Sequence, residues 1–154
     1  STLPNVNEMT WYAAKGDPRW DKDELWTTMG HLYKGGMWFK KKSVLQSEHH
    51  YDTEKSADGT TDLRTTYKVY NNTSSSINNS GLPSASDANK YFYMPTLGYC
   101  GFGQQHTIGN VGNYWSSSAN PWLSYEAYLL DFYSGTVDVY SFNRYYGFRA
   151  EAFQ

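Results

Sequence analysis

Cysteine is nearly missing from this chain: Cys100 is the only one among 154 residues. A single thiol excludes an internal disulfide framework and a thiolate metal cluster. It leaves the compartment open, because secreted proteins also do without disulfides. An excess of charge is missing too. The formal net charge is −2, which provides no electrostatic footprint for nucleic acid or an anionic membrane surface. No run is long and apolar enough to span a membrane. No signal peptide is visible, and the first residue is Ser1 rather than an initiator methionine. A trimmed form is therefore expected, its missing start having held an export signal or another domain.

What is present is aromatic. Phe, Trp and Tyr make up 18% of the residues, the same share as all charged residues together. Fifteen tyrosines and six tryptophans require a large aromatic core or a surface built for contact. The length suits one domain with one core.

Residues 1–20 read as an extended entry, with Thr10, Trp11 and Tyr12 favouring strand and Gly16-Asp17-Pro18 forming a turn. A helix is predicted next: Asp21 caps it, Glu24 follows three residues on, and Leu25, Trp26, Met29, Leu32 and Tyr33 recur at helical spacing until Gly35-Gly36. Residues 37–45 read as a strand with a basic centre, 46–63 as a polar loop, Leu63 to Tyr70 as a strand, and 71–81 as a flexible surface loop. A second helix is predicted from Ser84 to Phe92, capped by Ser84 or Ser86 and ended by Pro95. Glycines 98, 101, 103, 109 and 112 mark turns and close backbone approaches. Short strands follow at Asn113–Ser117, Tyr125–Tyr133, Val137–Tyr140 and Gly147–Ala152, with Ser134-Gly135 as a tight hairpin turn. The expected class is α+β: two helices packed on short, twisted, mainly antiparallel strands.

Chemistry-bearing clusters are few. Glu48, His49, His50 and Asp52 contain metal-ligand types, but adjacent histidines on an extended segment face opposite ways, and a solvated loop is the better reading. His31 reads as a core-edge residue, and His106 has no evident carboxylate partner. No strained nucleophile turn is present. Cys100 reads as a small buried thiol. GYCGFG at 98–103 lacks the lysine and hydroxyl of a phosphate loop and reads as a compact turn. Lys40-Lys41-Lys42 reads as a solvated strand edge, and the glycosylation sequons at Asn71, Asn72 and Asn78 as chance matches in a polar loop. No catalytic residue, metal site or cofactor is expected.

The stretch LLDFYSGTVDVYSFNRYYGFRA, residues 129–150, carries the most information. Leu130, Phe132, Val137 and Val139 share one strand parity and read as a buried face. The residues between them (Leu129, Asp131, Tyr133, Thr136, Asp138 and Tyr140) share no chemistry. Tyr133, Tyr140, Tyr145 and Tyr146 are predicted to be exposed together. Exposed clustered aromatics form a contact surface, and tyrosine supplies large, rigid, amphipathic area at low entropy cost. The residues alone therefore point to a binding module.

NYWSSSANP at 113–121, followed by AYLLDF, SGTVDV and NRYYGFRA, resembles the C-terminal half of the major paralogous domain family, bacterial surface proteins with a C-type lectin-like fold. The matching positions are Tyr114 to Ser118, Ala127-Tyr128, Leu130, Phe132, Val137, Val139, Arg144 and Gly147-Phe148. NKYFYMPTLGY at 89–99, VNEMTWYAAKGDPRWD at 6–21 and LWTTMGHLYKGGMWFKKKS at 25–43 resemble members of the same group. The likeness covers most of the chain, least of all residues 46–82. More narrowly, the end resembles the variable region of diversity-generating retroelement target proteins, whose template asparagine codons become hypervariable by adenine mutation.

That resemblance implies one C-type lectin-like domain over 1–154, with its variable region at about 120–149. The implied ligand-binding slots are Leu123, Tyr125, Leu129, Asp131, Tyr133, Thr136, Asp138, Tyr140, Ser141, Phe142, Asn143, Tyr145 and Tyr146. Adenine mutation of AAC or AAT reaches every residue found there and cannot reach Lys, Glu, Gln, Met or Trp. Trp122 and Glu126 therefore read as fixed. The calcium motifs and disulfides of animal C-type lectins are missing, so calcium-dependent sugar binding is not implied, and a lone Cys100 does not fit a formylglycine-generating enzyme.

The expected function is a non-enzymatic, receptor- or adhesin-type module on a cell surface or outside the cell, anchored through a missing N-terminal region, or else on a phage particle. The expected partner is a macromolecule, protein or glycan, on another cell or host surface, with no nucleic acid and no direct membrane insertion. The alternative is an invariant structural or adhesive domain of the same fold. Joint replacement of Tyr140, Tyr145 and Tyr146 by alanine is expected to abolish binding and leave stability almost unchanged.

Overall fold

The computed structural model describes residues 2–154. The chain is mixed α and β, with few helices and with its named strands all paired antiparallel. Among the described residues no helix is long and apolar enough to cross a membrane.

The entry segment is helical, not extended. Helix α1, Val6–Lys15, opens on a reciprocal cap. The Asn5 side chain accepts from the Glu8 amide at 3.0 Å, and the Glu8 carboxylate accepts from the Asn5 amide at 3.3 Å. Val6, Met9, Tyr12 and Ala13 form its buried stripe. The strand propensity of Thr10-Trp11-Tyr12 is overridden because that stripe fills the core. Gly16 ends the helix, and a Cβ there would stand 2.1 Å from the Tyr12 carbonyl oxygen.

The first predicted helix is instead a hairpin of β1, Arg19–Thr28, and β2, His31–Lys40. Its turn is Met29-Gly30, both with positive φ (49° and 76°), the backbone that a two-residue turn between twisted strands requires. Trp26 pairs with Tyr33 across the strands, rings stacked at 5.2 Å. Leu25, Met29 and Leu32 are exposed, so their helical spacing marks no buried stripe. Asp21 caps no helix. It accepts the Asp23 and Glu24 amides and the Trp38 indole N–H, each at 3.0 Å, where the register of the hairpin shifts. Gly35-Gly36 sits inside β2 rather than stopping a helix. A Cβ on Gly36 would meet the Tyr93 ring at 2.5 Å.

The lysine trio is not a strand edge. Lys40 ends β2 and pairs with Glu48 at 2.9 Å, Lys41 precedes α2, Lys42–Ser47, and the Lys42 ammonium lies 5.1 Å from the Tyr51 ring centroid. The polar stretch that follows is an ordered loop. Buried Asn7 donates to Asp62 at 2.9 Å and accepts the Leu63 amide at 2.9 Å, which seats Leu63 in the core. Asn7→Ala strands that amide and is expected to cost on the order of 2 kcal/mol, read as a lower urea midpoint with an unchanged slope. A loss no larger than that of an exposed control such as Asn110→Ala would rule out this anchoring.

Of the strand predicted from Leu63 to Tyr70 only Tyr70 is in a strand, as the first residue of β3, Tyr70–Asn72, and the stretch 71–81 read as a loop holds the rest of β3 and the short α3, Ser76–Asn79. The second predicted helix reduces to one tight turn at Ala88–Lys90 before β4, Tyr91–Pro95. Tyr91, Phe92 and Met94 are buried there, and Phe92 pairs with Phe39 of β2. Strand burial of these side chains outweighs the helix capping signals.

The remaining strands are β5, Tyr99–Gly101; β6, Gln104–His106; β7, Gly112–Ala119; β8, Glu126–Tyr133; and β9, Thr136–Asn143. Among the described residues these strands form three sheets, ordered β1-β2-β4, β3-β9-β8-β7 and β5-β6. Tyr133 pairs with Thr136, leaving Ser134-Gly135 as the two-residue turn expected of them. The core lies where α1 and the two larger sheets meet. Phe39 of β2 contacts Phe132 of β8 at 5.8 Å, and Tyr114 of β7 stacks on Phe132 at 6.0 Å. Gly147–Ala152 is no strand; it makes isolated bridges through Gly147 to Cys100 and Arg149 to Tyr114.

Candidate functional site

Strand register arranges the outer face of the β7-β8-β9 sheet in rows. Asn113, Asp131 and Asp138 form one row, Trp115, Leu129 and Tyr140 the next, and Ala119, Ala127 and Phe142 a third. Tyr133 and Thr136 close the hairpin end. The alternation in the sequence thus separates two sheet faces: Leu130, Phe132, Val137 and Val139 are all fully buried in the core.

Two of the thirteen expected slots are not on an open surface. Leu129 is 0% exposed because it lies between Trp115 and Tyr140, and Phe148 packs on Trp115 at 4.5 Å. Ser141 shares the parity of Val139 and is buried. It accepts from Asn120 Nδ2 at 2.8 Å and donates to the Glu126 carboxylate. That network ties down the loop before β8, where Asn120 Oδ1 also accepts the Trp122 and Leu123 amides at 2.8 and 3.2 Å. Leu123 and Tyr125 are exposed on this loop, and Trp122 leans on Tyr67 at 5.4 Å.

The four tyrosines are not exposed together. Tyr133 is exposed at the hairpin turn, six residues along β8 from Ala127, the partner of Phe142, or about 20 Å away. Thr136 sits beside it. Tyr140 is half-buried, and its hydroxyl donates to Asp131 Oδ2 at 3.4 Å. Tyr145 is 71% exposed, whereas Tyr146 is wedged among Tyr99, Phe142 and Phe148 at 5.8, 4.9 and 6.2 Å. Phe142 and Asn143 are exposed at the end of β9.

Part of the aromatic surface comes from outside the variable stretch. The β5-β6 hairpin carries Phe102 at its tip, 75% exposed, with the Tyr145 ring 6.2 Å away. Tyr99 stacks on His106 at 5.1 Å and meets Phe148 at 5.7 Å. Reciprocal backbone bonds between Cys100 and Gly147, at 2.9 and 2.8 Å, dock this hairpin against the 144–149 loop. A Cβ on Gly101 would meet the Tyr146 ring at 3.1 Å. The compact turn read into GYCGFG is present, but its aromatics went unassigned. The available signal was a phenylalanine beside glycine at a turn, where an apolar side chain has no core to enter.

Between the hairpin and the sheet lies a cleft of about 280 Å³, lined among others by Tyr99, Asn113, Asp131, Tyr140, Phe142 and Tyr146. Burial, then the neighbouring Asp138, raise the Asp131 carboxyl from its usual value to about 6, and the Tyr140 hydroxyl offsets part of this. Burial also raises Asp138. With its amide nitrogen turned toward the carboxylate, Asn71 donates to Asp138 at 2.9 Å. Asn113 is 4% exposed and its Nδ2 has no hydrogen-bond partner.

The other candidates gather no chemistry. Cys100 is exposed rather than buried, its thiol donating to Gln105 at 2.9 Å. His31 is exposed at the start of β2, not at a helical core edge, and Glu48 is taken by Lys40. Among the described residues no group of three or more His, Cys, Asp or Glu side chains is placed to hold a metal ion. No protein-family model matches the chain, and no curated protein or solved structure matches it.

Proposed function

We propose that the chain is a non-enzymatic ligand-binding module of receptor or adhesin type, the variable protein of a diversity-generating retroelement, with the C-type lectin-like fold of the major paralogous domain group. It acts on a cell surface or outside the cell, or on a phage particle, and takes a protein or glycan ligand. One observation carries this reading. The chemically unrelated residues of β8 and β9 lie on one sheet face, while the uniform aliphatic and aromatic ones lie in the core. That face is continued by exposed aromatics at Phe102, Tyr125, Phe142 and Tyr145, side chains that dominate binding energy when a partner desolvates them. A shallow aromatic surface suits a macromolecule better than a metabolite.

The test is to sequence the DNA downstream of the gene. A near-repeat of the segment coding Tyr114 to Phe148, with AAC or AAT at the slots and a reverse transcriptase gene nearby, is the expected result. A gene with neither repeat nor reverse transcriptase overturns diversification and leaves an invariant adhesive domain.

A further inference from the structure

We propose that the cleft between the β5-β6 hairpin and the sheet is a subsite for one cationic side chain, arginine or lysine, of a protein ligand. This rests on the binding-module reading and narrows it from a macromolecule of either kind to a protein bearing an exposed basic residue.

Size, charge and an unused donor point the same way. At about 280 Å³ the cleft falls just under the range that holds drug-sized ligands, which suits a single side chain. Asp131 lies on its wall and Asp138 is its cross-strand neighbour. Like charges directly opposite one another repel. Among the described residues neither carboxylate is in a salt bridge. The raised Asp131 carboxyl is what a partly buried acid shows when no counter-charge is present. The walls are the rings of Tyr99, Tyr140, Phe142 and Tyr146, whose faces attract a cation.

Asn113 is the independent observation. It stands in the same row as Asp131, lines the cleft, and is almost wholly buried with an unpartnered amide nitrogen. Buried polar atoms are nearly always paired, so an unpaired one on a cleft wall marks a place where a ligand completes the bonding. A basic side chain entering here changes the surroundings of that amide, which stands beside Asp131 in the row. The charged head meets Asp131.

The probes are N-acetyl-arginine methylamide, its uncharged citrulline counterpart, and methyl β-glucoside, titrated into the isotope-labelled full chain while the Asn113 side-chain amide is followed by NMR. The expected result is millimolar binding of the arginine probe, with a shift at Asn113 and a loss of about tenfold for citrulline and for Asp131→Asn. Equal binding of arginine and citrulline, arginine binding unaffected by Asp131→Asn, or a preference for the glucoside would each overturn the cation subsite. The double variant Phe102→Ala, Tyr145→Ala separates the two levels. If it loses a partner recovered by display while arginine leaves Asn113 unmoved, the subsite fails and the binding module stands.

Discussion

Alanine at Phe102 and Tyr145 together is expected to lower affinity for a partner recovered by display by about a hundredfold or more, and to change unfolding free energy by less than about 1.5 kcal/mol. Both rings are mostly in water and lie 6.2 Å apart, each beside Tyr146, so folding gains little from them and a partner that covers them gains much. Tyr146 behaves differently. It touches five rings, those of Tyr99, Phe102, Phe142, Tyr145 and Phe148, and its truncation is expected to cost about 2–3 kcal/mol of stability. The triple tyrosine substitution read from the sequence therefore confounds binding with folding, and the Phe102–Tyr145 pair replaces it. Titration against the partner beside urea unfolding gives both readings. Full affinity in the double variant would place the contact surface elsewhere.

Asp131→Asn is expected to stabilise the protein at neutral pH, by an amount on the order of 2 kcal/mol after allowing for the partial exposure of the group. In the folded chain Asp131 keeps its proton up to about pH 6, whereas the ordinary value is 3.8. Between those values the folded state binds more protons than the unfolded one, so stability contributed at low pH is lost as pH rises from about 4 to about 6, and is flat above. The asparagine variant lacks that loss. Because other carboxylates, such as Asp62 held low by Arg64 and Asn7, act in the opposite sense at more acidic pH, the observable is the difference between variant and parent. It should grow from pH 4 to pH 6 and then level off. A difference independent of pH would mean that Asp131 is not held up. A residue that weakens the fold where it stands is a candidate for work done on a ligand.

The β8-β9 hairpin was legible because strand pairing writes itself into period two. The alternation at 129–140 and the Ser134-Gly135 turn define β8 and β9, and their register assigns each face. The N-terminal third was inverted for an equally physical reason. A hairpin about Met29-Gly30 brings Trp26 opposite Tyr33, and apolar residues on its two arms fall by coincidence at helical intervals. The α1 stripe was masked by strand-favouring aromatics, although the Asn5 and Glu8 cap stood three residues apart. The variable half of the candidate site was readable from its mixed chemistry. Phe102 and Tyr99 were not, because only docking of the 144–149 loop onto β5 brings them to that surface, and Asn113 was not, because its place beside Asp131 depends on the register of β7 against β8.

Leu129 has a further consequence under the proposed diversification. A template codon at this position would be rewritten blindly, yet its side chain has no route to water. Draws such as Asp, Asn or Arg would bury an unpaired polar or charged group, and such chains would be cleared before meeting any ligand. Ser141, held by Asn120 and Glu126, would impose the same attrition on large apolar draws. The set of proteins a cell could encode would then exceed the set it could display. Sampled natural variants should show small or aliphatic residues at 129, small polar ones at 141, and a nearly uniform spread at 145: quality control exercised by packing alone, ahead of any selection for binding.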